Sequence, residues 1–211
     1  MAKLSKENRN RAIQILLEEY KDAKCALDYD SNFHLLVAVV LSAQTTDVSV
    51  NKISPALFEA APDASAMAKL SSEEIENFIR SIGLYKNKAK NVLALSKELC
   101  ERFGGEVPDN FDDLVSLPGV GRKTANVVLA ELFGHQTIAV DTHVFRVANR
   151  IGLAAADNVL ETETQLKKAV PKDSWTKMHH ALIWHGRRVC SARNPKCEGC
   201  CLGGCCKRNG L

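Results

Sequence analysis

Apolar residues recur along this chain at the three-to-four spacing of helices, and no stretch alternates as a half-buried strand would. Within residues 7–20, Ala12, Ile13, Leu16 and Leu17 form one stripe among charges, a surface helix packed on one side. Residues 33–43 are apolar nearly all round, which predicts a buried helix. Thr46 or Asp47 is placed to cap a following helix through Val48, Val50 and Ile53. Ser71 and Glu74 have capping-box spacing, with Leu70 against Ile75 as a staple, and that helix stops at Gly83. Another carries Val92, Leu95, Leu99 and Phe103 to Gly104, and a short segment from Phe111 carries Leu114 and Leu117. Ala125, Val128, Leu129, Leu132 and Phe133 predict a helix closed by Gly134, and Val144, Val147, Ala148 and Ile151 one closed by Gly152 with Asp141 as N-cap. Two more run over residues 159–170, stopped by Pro171, and 174–185, stopped by Gly186. With no repeat and no low-complexity linker, the fold class is all-α.

Between two of these helices lies Leu117-Pro118-Gly119-Val120-Gly121-Arg122-Lys123-Thr124. Pro118 fixes one φ, and Gly119 and Gly121 permit positive φ and close backbone approach, so the stretch reads as helix, glycine hairpin, helix. Such a turn aims backbone N–H groups outward at a helix start, where the dipole favours an anion and a phosphate is the natural ligand. An ordinary turn between two core helices would have the same glycine spacing. Lys123 shifts the balance: in the first helical turn the dipole disfavours its charged form, which marks it for nucleophilic amine chemistry.

Length and composition add bounds. The chain has 211 residues, 45% of them hydrophobic, enough for one large or two small domains. A net charge of +3 is compatible with a nucleic-acid partner without requiring one. The N-terminus has no hydrophobic signal core, and the longest apolar run is too short to span a bilayer, so a cytoplasmic protein with no membrane partner is expected.

Six of the eight cysteines crowd the last residues: Cys190, Cys197, Cys200, Cys201, Cys205 and Cys206. Outside the secretory route such clustering argues for metal rather than disulfides. Cys190, Cys197, Cys200 and Cys206 space as C-x6-C-x2-C-x5-C in a glycine-rich loop able to wrap one centre. By chemistry alone zinc and a [4Fe–4S] cluster are both open to four thiolates, zinc being the commoner occupant of such tails, and Cys201 and Cys205 stand as spare thiols or substitute ligands. Arg193 and Lys196 lie between the first two ligands, with Arg187, Arg188, Lys207 and Arg208 nearby, either a phosphate surface or a solvated basic face. Two further stretches merit chemistry. Ser42-Ala43-Gln44-Thr45-Thr46-Asp47 is a polar patch at the end of the buried helix, suited to a pocket wall or to satisfying loop backbone. Gly83-Leu84-Tyr85-Lys86-Asn87-Lys88 sets an apolar tip among lysines. Leu84 there is either a wedge for a base stack, with the lysines meeting phosphates, or a helix C-cap contact.

Residues 117–129 resemble the helix-hairpin-helix of the endonuclease III family of DNA glycosylases. The likeness extends from Leu41-Ser42-Ala43-Gln44 through Gly83-Leu84-Tyr85 and Val140-Asp141-Thr142-His143 to the cysteine spacing. It implies a two-lobed all-α fold: a six-helix domain over residues 25–135, and a cluster domain from residues 1–24 and 136–211, with DNA across the cleft. It also implies a [4Fe–4S] cluster on Cys190, Cys197, Cys200 and Cys206, structural or DNA-sensing. The implied substrate is double-stranded DNA carrying oxidised pyrimidines or abasic sites, met by a monomer near the nucleoid of a prokaryote-like cell. By the resemblance Lys123 is the Schiff-base nucleophile and Asp141 its carboxylate partner. Gln44 fills the gap left by the flipped base, Leu84 wedges the opposite strand, and Gly119, Val120, Gly121, Thr124, His143, Arg193 and Lys196 meet DNA. Two rival readings stand: the related adenine-mismatch glycosylase, which usually lacks a lysine at the position of Lys123 and carries a further C-terminal domain, and a non-catalytic DNA-binding module with structural zinc.

Overall fold

The computed structural model describes residues 1–211 as eleven α-helices and one 3-10 turn, with no strand. No helix is long and apolar enough to cross a membrane. The chain divides into two compact units, Ala26–Gly134 and Met1–Cys25 with His135–Leu211.

The continuous unit is built on α2 (Asn32–Leu41), in which every residue from Phe33 to Leu41 is buried. Around it pack α3 (Asp47–Ala60), α6 (Tyr85–Phe103) and α8 (Arg122–Phe133). Its remaining helices are α4 (Ala64–Lys69), α5 (Ser72–Ile79) and α7 (Phe111–Ser116). That makes seven helices where six were expected. The extra one is α4, six residues held by the Asp63 side chain accepting from Ala66 N–H, too short for a periodic pattern to show. The Ser71–Glu74 capping box at α5 is formed in both directions. Thr46, rather than Asp47, caps α3, its hydroxyl accepting from Ser49 N–H.

The discontinuous unit joins α1 (Lys6–Glu19) to α9 (Thr142–Ile151), α10 (Val159–Ala169) and α11 (Trp175–Arg188). Ala12, Ile13 and Leu16 of α1 share one core with Val144, Val147, Ile151, Met178 and Leu182, and Leu202 of the cysteine loop joins them. Chain ends are tied together: Leu4 N–H donates to Gly152 C=O, and the Asn209 amide donates to Ala2 C=O. Gly186 does not stop α11, which continues to Arg188. A Cβ there would meet Val147 Cγ2 at 3.0 Å and His143 Cβ at 3.2 Å, so the glycine lets α11 lie close on α9.

Candidate nucleic-acid site and cysteine centre

In the hairpin, Leu117 ends α7 with its N–H on Leu114 C=O, and Val120 N–H returns to Leu117 C=O at 3.1 Å. Val120 is buried and its N–H is spent inside the turn, so it offers no outward donor, contrary to expectation. Gly119 has φ +77, and a Cβ on it would meet Asn91 Cβ at 3.0 Å. Gly121 lies at φ −91, ψ 175, an extended conformation any residue adopts, and faces open space. Its value is therefore the bare surface it leaves, not conformational freedom. As N-cap of α8, Gly121 brings no side-chain acceptor to the first turn of the helix. A helix start of this kind receives an anion. Arg122 lies over the Phe111 ring at 5.2 Å and braces the turn. Lys123 is exposed beside it, its amine in no ion pair and no hydrogen bond within the chain.

Gln44 and Leu84 belong to the same unit, and both are exposed residues with left-handed backbones, φ 54 and φ 59. Leu84 is 55% exposed immediately before α6, which favours a protruding tip over a C-cap contact. Lys86 is exposed, whereas Lys88 is only 4% exposed and cannot serve as a phosphate contact. Its ammonium donates to Thr45 Oγ1 at 2.5 Å, and burial lowers its pKa.

Asp141 belongs to the other unit and caps α9, Oδ1 accepting from Val144 N–H at 2.8 Å. His143, in the first turn of α9, is half-buried, with Arg146 donating to its Nδ1 at 3.1 Å. Since arginine only donates, Nδ1 is the acceptor nitrogen of a neutral ring. Burial lowers the His143 pKa, with Arg146 and Arg187 pushing the same way and Asp141 opposing. Arg146 also donates through Nε to Cys190 C=O.

Beyond α11 the cysteine loop folds round a small apolar hollow, partly open to solvent. Cys190, Cys197, Cys200 and Cys206 all line it, while Cys201 and Cys205 do not. Cys201 is exposed, and Cys205 turns inward with its thiol on Leu202 C=O. Three of the lining thiols each face a nitrogen, two of them a definite N–H donor. Arg150 reaches Cys190 Sγ at 3.4 Å, the Arg208 backbone N–H reaches Cys206 Sγ at 3.3 Å, and His185 Nε2 lies 3.8 Å from Cys200 Sγ. Four soft sulfur donors on one apolar wall, two of them facing N–H donors, fit a thiolate-bound metal group. Arg193 and Lys196 are exposed on the same loop.

Residues 37–172 match the HhH-GPD superfamily of base excision DNA repair proteins. The chain is 46% identical to endonuclease III of Synechocystis over 96% of its own length and 93% of that protein's. It is 45% identical to endonuclease III of Escherichia coli over 97% of both. This chain belongs to the endonuclease III family. A solved structure of a trapped endonuclease III–DNA covalent intermediate superposes with a TM-score of 0.93 at 45% identity, covering 97% of each chain. A thermostable thymine-DNA glycosylase shares the fold, with a TM-score of 0.86 at 24% identity over 96% of each chain.

Two polar residues of this endonuclease III family member escaped the sequence reading, and a third, Lys88, stood in it among lysines meeting phosphates. Arg150 and His185 are buried at 9% and 1% exposure beside the thiols, and Lys88 is buried beside Thr45. The signal was available for two of them, since a charged or imidazole side chain on the apolar stripe of an amphipathic helix needs an internal partner. Lys88 sat among other lysines at a loop, where a solvated charge is the ordinary outcome.

Proposed function

We propose that this chain is a bifunctional base-excision enzyme that removes oxidised pyrimidines from double-stranded DNA and cleaves the abasic site left behind. The observation that carries the reading is Lys123: an exposed amine without an internal partner, on an uncapped helix start behind a glycine turn, in a chain of the endonuclease III family.

The phosphate backbone docks on the first turn of α8, and the damaged nucleotide leaves the stack, which costs least where a lesion already pairs badly. Gln44 fills the vacated space and Leu84 presses on the opposite strand. The Lys123 nitrogen attacks C1′, the C1′–N bond breaks, and the base leaves with that electron pair and gains a proton. Opening of the sugar gives a Schiff base, loss of a C2′ proton expels the 3′ phosphate, and water releases the amine. The Asp141 carboxyl group stabilises positive charge on the sugar and assists the proton transfers, while its second oxygen remains free of the α9 cap. His143, Thr124, Gly119, Gly121, Arg193 and Lys196 lie along the DNA backbone.

Cys190, Cys197, Cys200 and Cys206 hold a [4Fe–4S] cluster. Two features support this over zinc: all four thiols of the C-x6-C-x2-C-x5-C spacing line one hollow, and the chain belongs to the endonuclease III family, whose cysteine loop the spacing resembles. When bound, the cluster cross-links the loop through four iron–sulfur bonds.

Borohydride reduction on duplex DNA containing an oxidised pyrimidine tests the reading. Wild type forms a covalent adduct and Lys123→Ala does not. An absent wild-type adduct, or an equal one from the variant, removes the lyase assignment.

A further inference from the structure

Gln44 and Leu84 hold left-handed backbone conformations that carry a steric cost for side chains with a Cβ. Such conformations persist only where the surroundings over-determine them. One residue touches both segments. Lys88 donates its backbone N–H to Leu84 C=O at 3.0 Å, closing the first turn of α6. Its side chain crosses to the other loop, where the ammonium donates to Thr45 Oγ1 at 2.5 Å. Thr45 is the neighbour of Gln44, and its own N–H closes that turn on Ser42 C=O at 3.0 Å.

Stability does not explain this choice of residue. Lys88 is 4% exposed, and its side chain meets one neutral hydroxyl and no carboxylate. Burying an ammonium on a single neutral acceptor costs free energy that an apolar side chain of equal length would avoid. What the ammonium does supply is a directed link between two loops whose tips both protrude.

We propose that Lys88 is a positioning residue, tying the Gln44 turn to the Leu84 turn so that the two tips enter opposite strands of one duplex in register. The inference rests on the base-excision reading and deepens it. Lys88 itself touches no DNA. Its effect is confined to duplexes that must be opened, and vanishes where nothing remains to be displaced.

The test compares borohydride trapping rates on two substrates: an abasic site in intact duplex, and the same site facing a gap in the opposing strand. Lys88→Met should keep wild-type circular dichroism and thermal stability, and Thr45→Val, which strands the buried ammonium, should keep the circular dichroism at a lower thermal midpoint, while both lower the duplex-to-gapped rate ratio about tenfold. Thr45→Ser, which retains the hydroxyl, should restore the ratio, and the double variant should be no worse than either single one. A 2-aminopurine opposite the site should lose its fluorescence rise in Lys88→Met. An unchanged ratio, or additive losses in the double variant, overturns the positioning role while leaving the activity intact. Failure of wild type to trap on either substrate would instead bring down the base-excision reading itself.

Discussion

Arg146 donates to His143 Nδ1 at 3.1 Å, so a guanidinium occupies the site where a second imidazole proton would have to go. Protonating His143 breaks that bond and places two cations together. Its pKa in the folded chain therefore lies below the ordinary 6.5, burial being the largest cause. The unfolded chain takes up this proton first as pH falls, so folding gains from a neutral His143 above 6.5 and loses that gain as pH drops through the folded value. Urea midpoints should fall between about pH 7.5 and about pH 5.5 more steeply in wild type than in His143→Gln. Equal slopes would show that the ring titrates without consequence.

Asp141 has two duties that substitution separates. Asparagine keeps an oxygen for Val144 N–H, whereas alanine does not. Asp141→Asn should hold stability within a few tenths of a kcal/mol and bind lesion DNA, yet lose most turnover. Asp141→Ala should lose turnover and also about 1 kcal/mol of stability, read by denaturant titration. Retained turnover in the asparagine variant would leave Asp141 a cap alone.

The two hairpin glycines should respond oppositely to a methyl group. Gly119→Ala meets both a positive φ and Asn91 Cβ at 3.0 Å, and should cost about 1–2 kcal/mol of stability. At Gly121 the backbone is extended and nothing lies within 4 Å. Gly121→Ala should fold as wild type and bind DNA more weakly, because its methyl stands where the phosphate backbone approaches. Loss of stability with unchanged affinity at Gly121 would contradict the docking surface.

Gly186→Ala tests the packing of α11 on α9. The added methyl would press on Val147 Cγ2 at 3.0 Å and on His143 Cβ at 3.2 Å, both close to helix backbone and unable to swing away. Overpacking of this kind costs about 1–3 kcal/mol, so a thermal midpoint several degrees lower is expected. A midpoint equal to wild type would show that the α9–α11 contact has room for the methyl and does not depend on Gly186.

What could be read from the chain alone divides along physical lines. The Ser71–Glu74 box, the Asp141 cap and the closing glycines 134 and 152 are local devices, and the structure forms each one. Gly186 was misread because a glycine at a helix end and one at a helix crossing look alike until the partner helix is known. The left-handed backbone of Gln44 was not legible, since nothing in a glutamine announces positive φ. Lys88 was misassigned for a related reason: its hydroxyl partner lies forty-three positions away. Motif order carried the function further than any single residue did, because independent features on both units had to agree.

The cysteines provide the last test, because adjacent residues in the loop point different ways. Cys200 lines the hollow and Cys201 is exposed; Cys206 lines it and Cys205 is buried with its thiol on Leu202 C=O at 3.6 Å. If the lining set holds the cluster, Cys201→Ser should retain full iron content and visible absorption at unchanged stability. Cys205→Ala should also retain iron, but should melt lower, since it removes a buried sulfur from the shared core. Replacing any one of Cys190, Cys197, Cys200 or Cys206 by alanine should give colourless or rapidly bleaching protein with a disordered loop. Iron analysis and visible spectra on the six single variants separate the two classes. Loss of iron on changing Cys201 or Cys205, with retention on changing their neighbours, would mean that the loop rearranges on loading and that ligation follows another set of thiols.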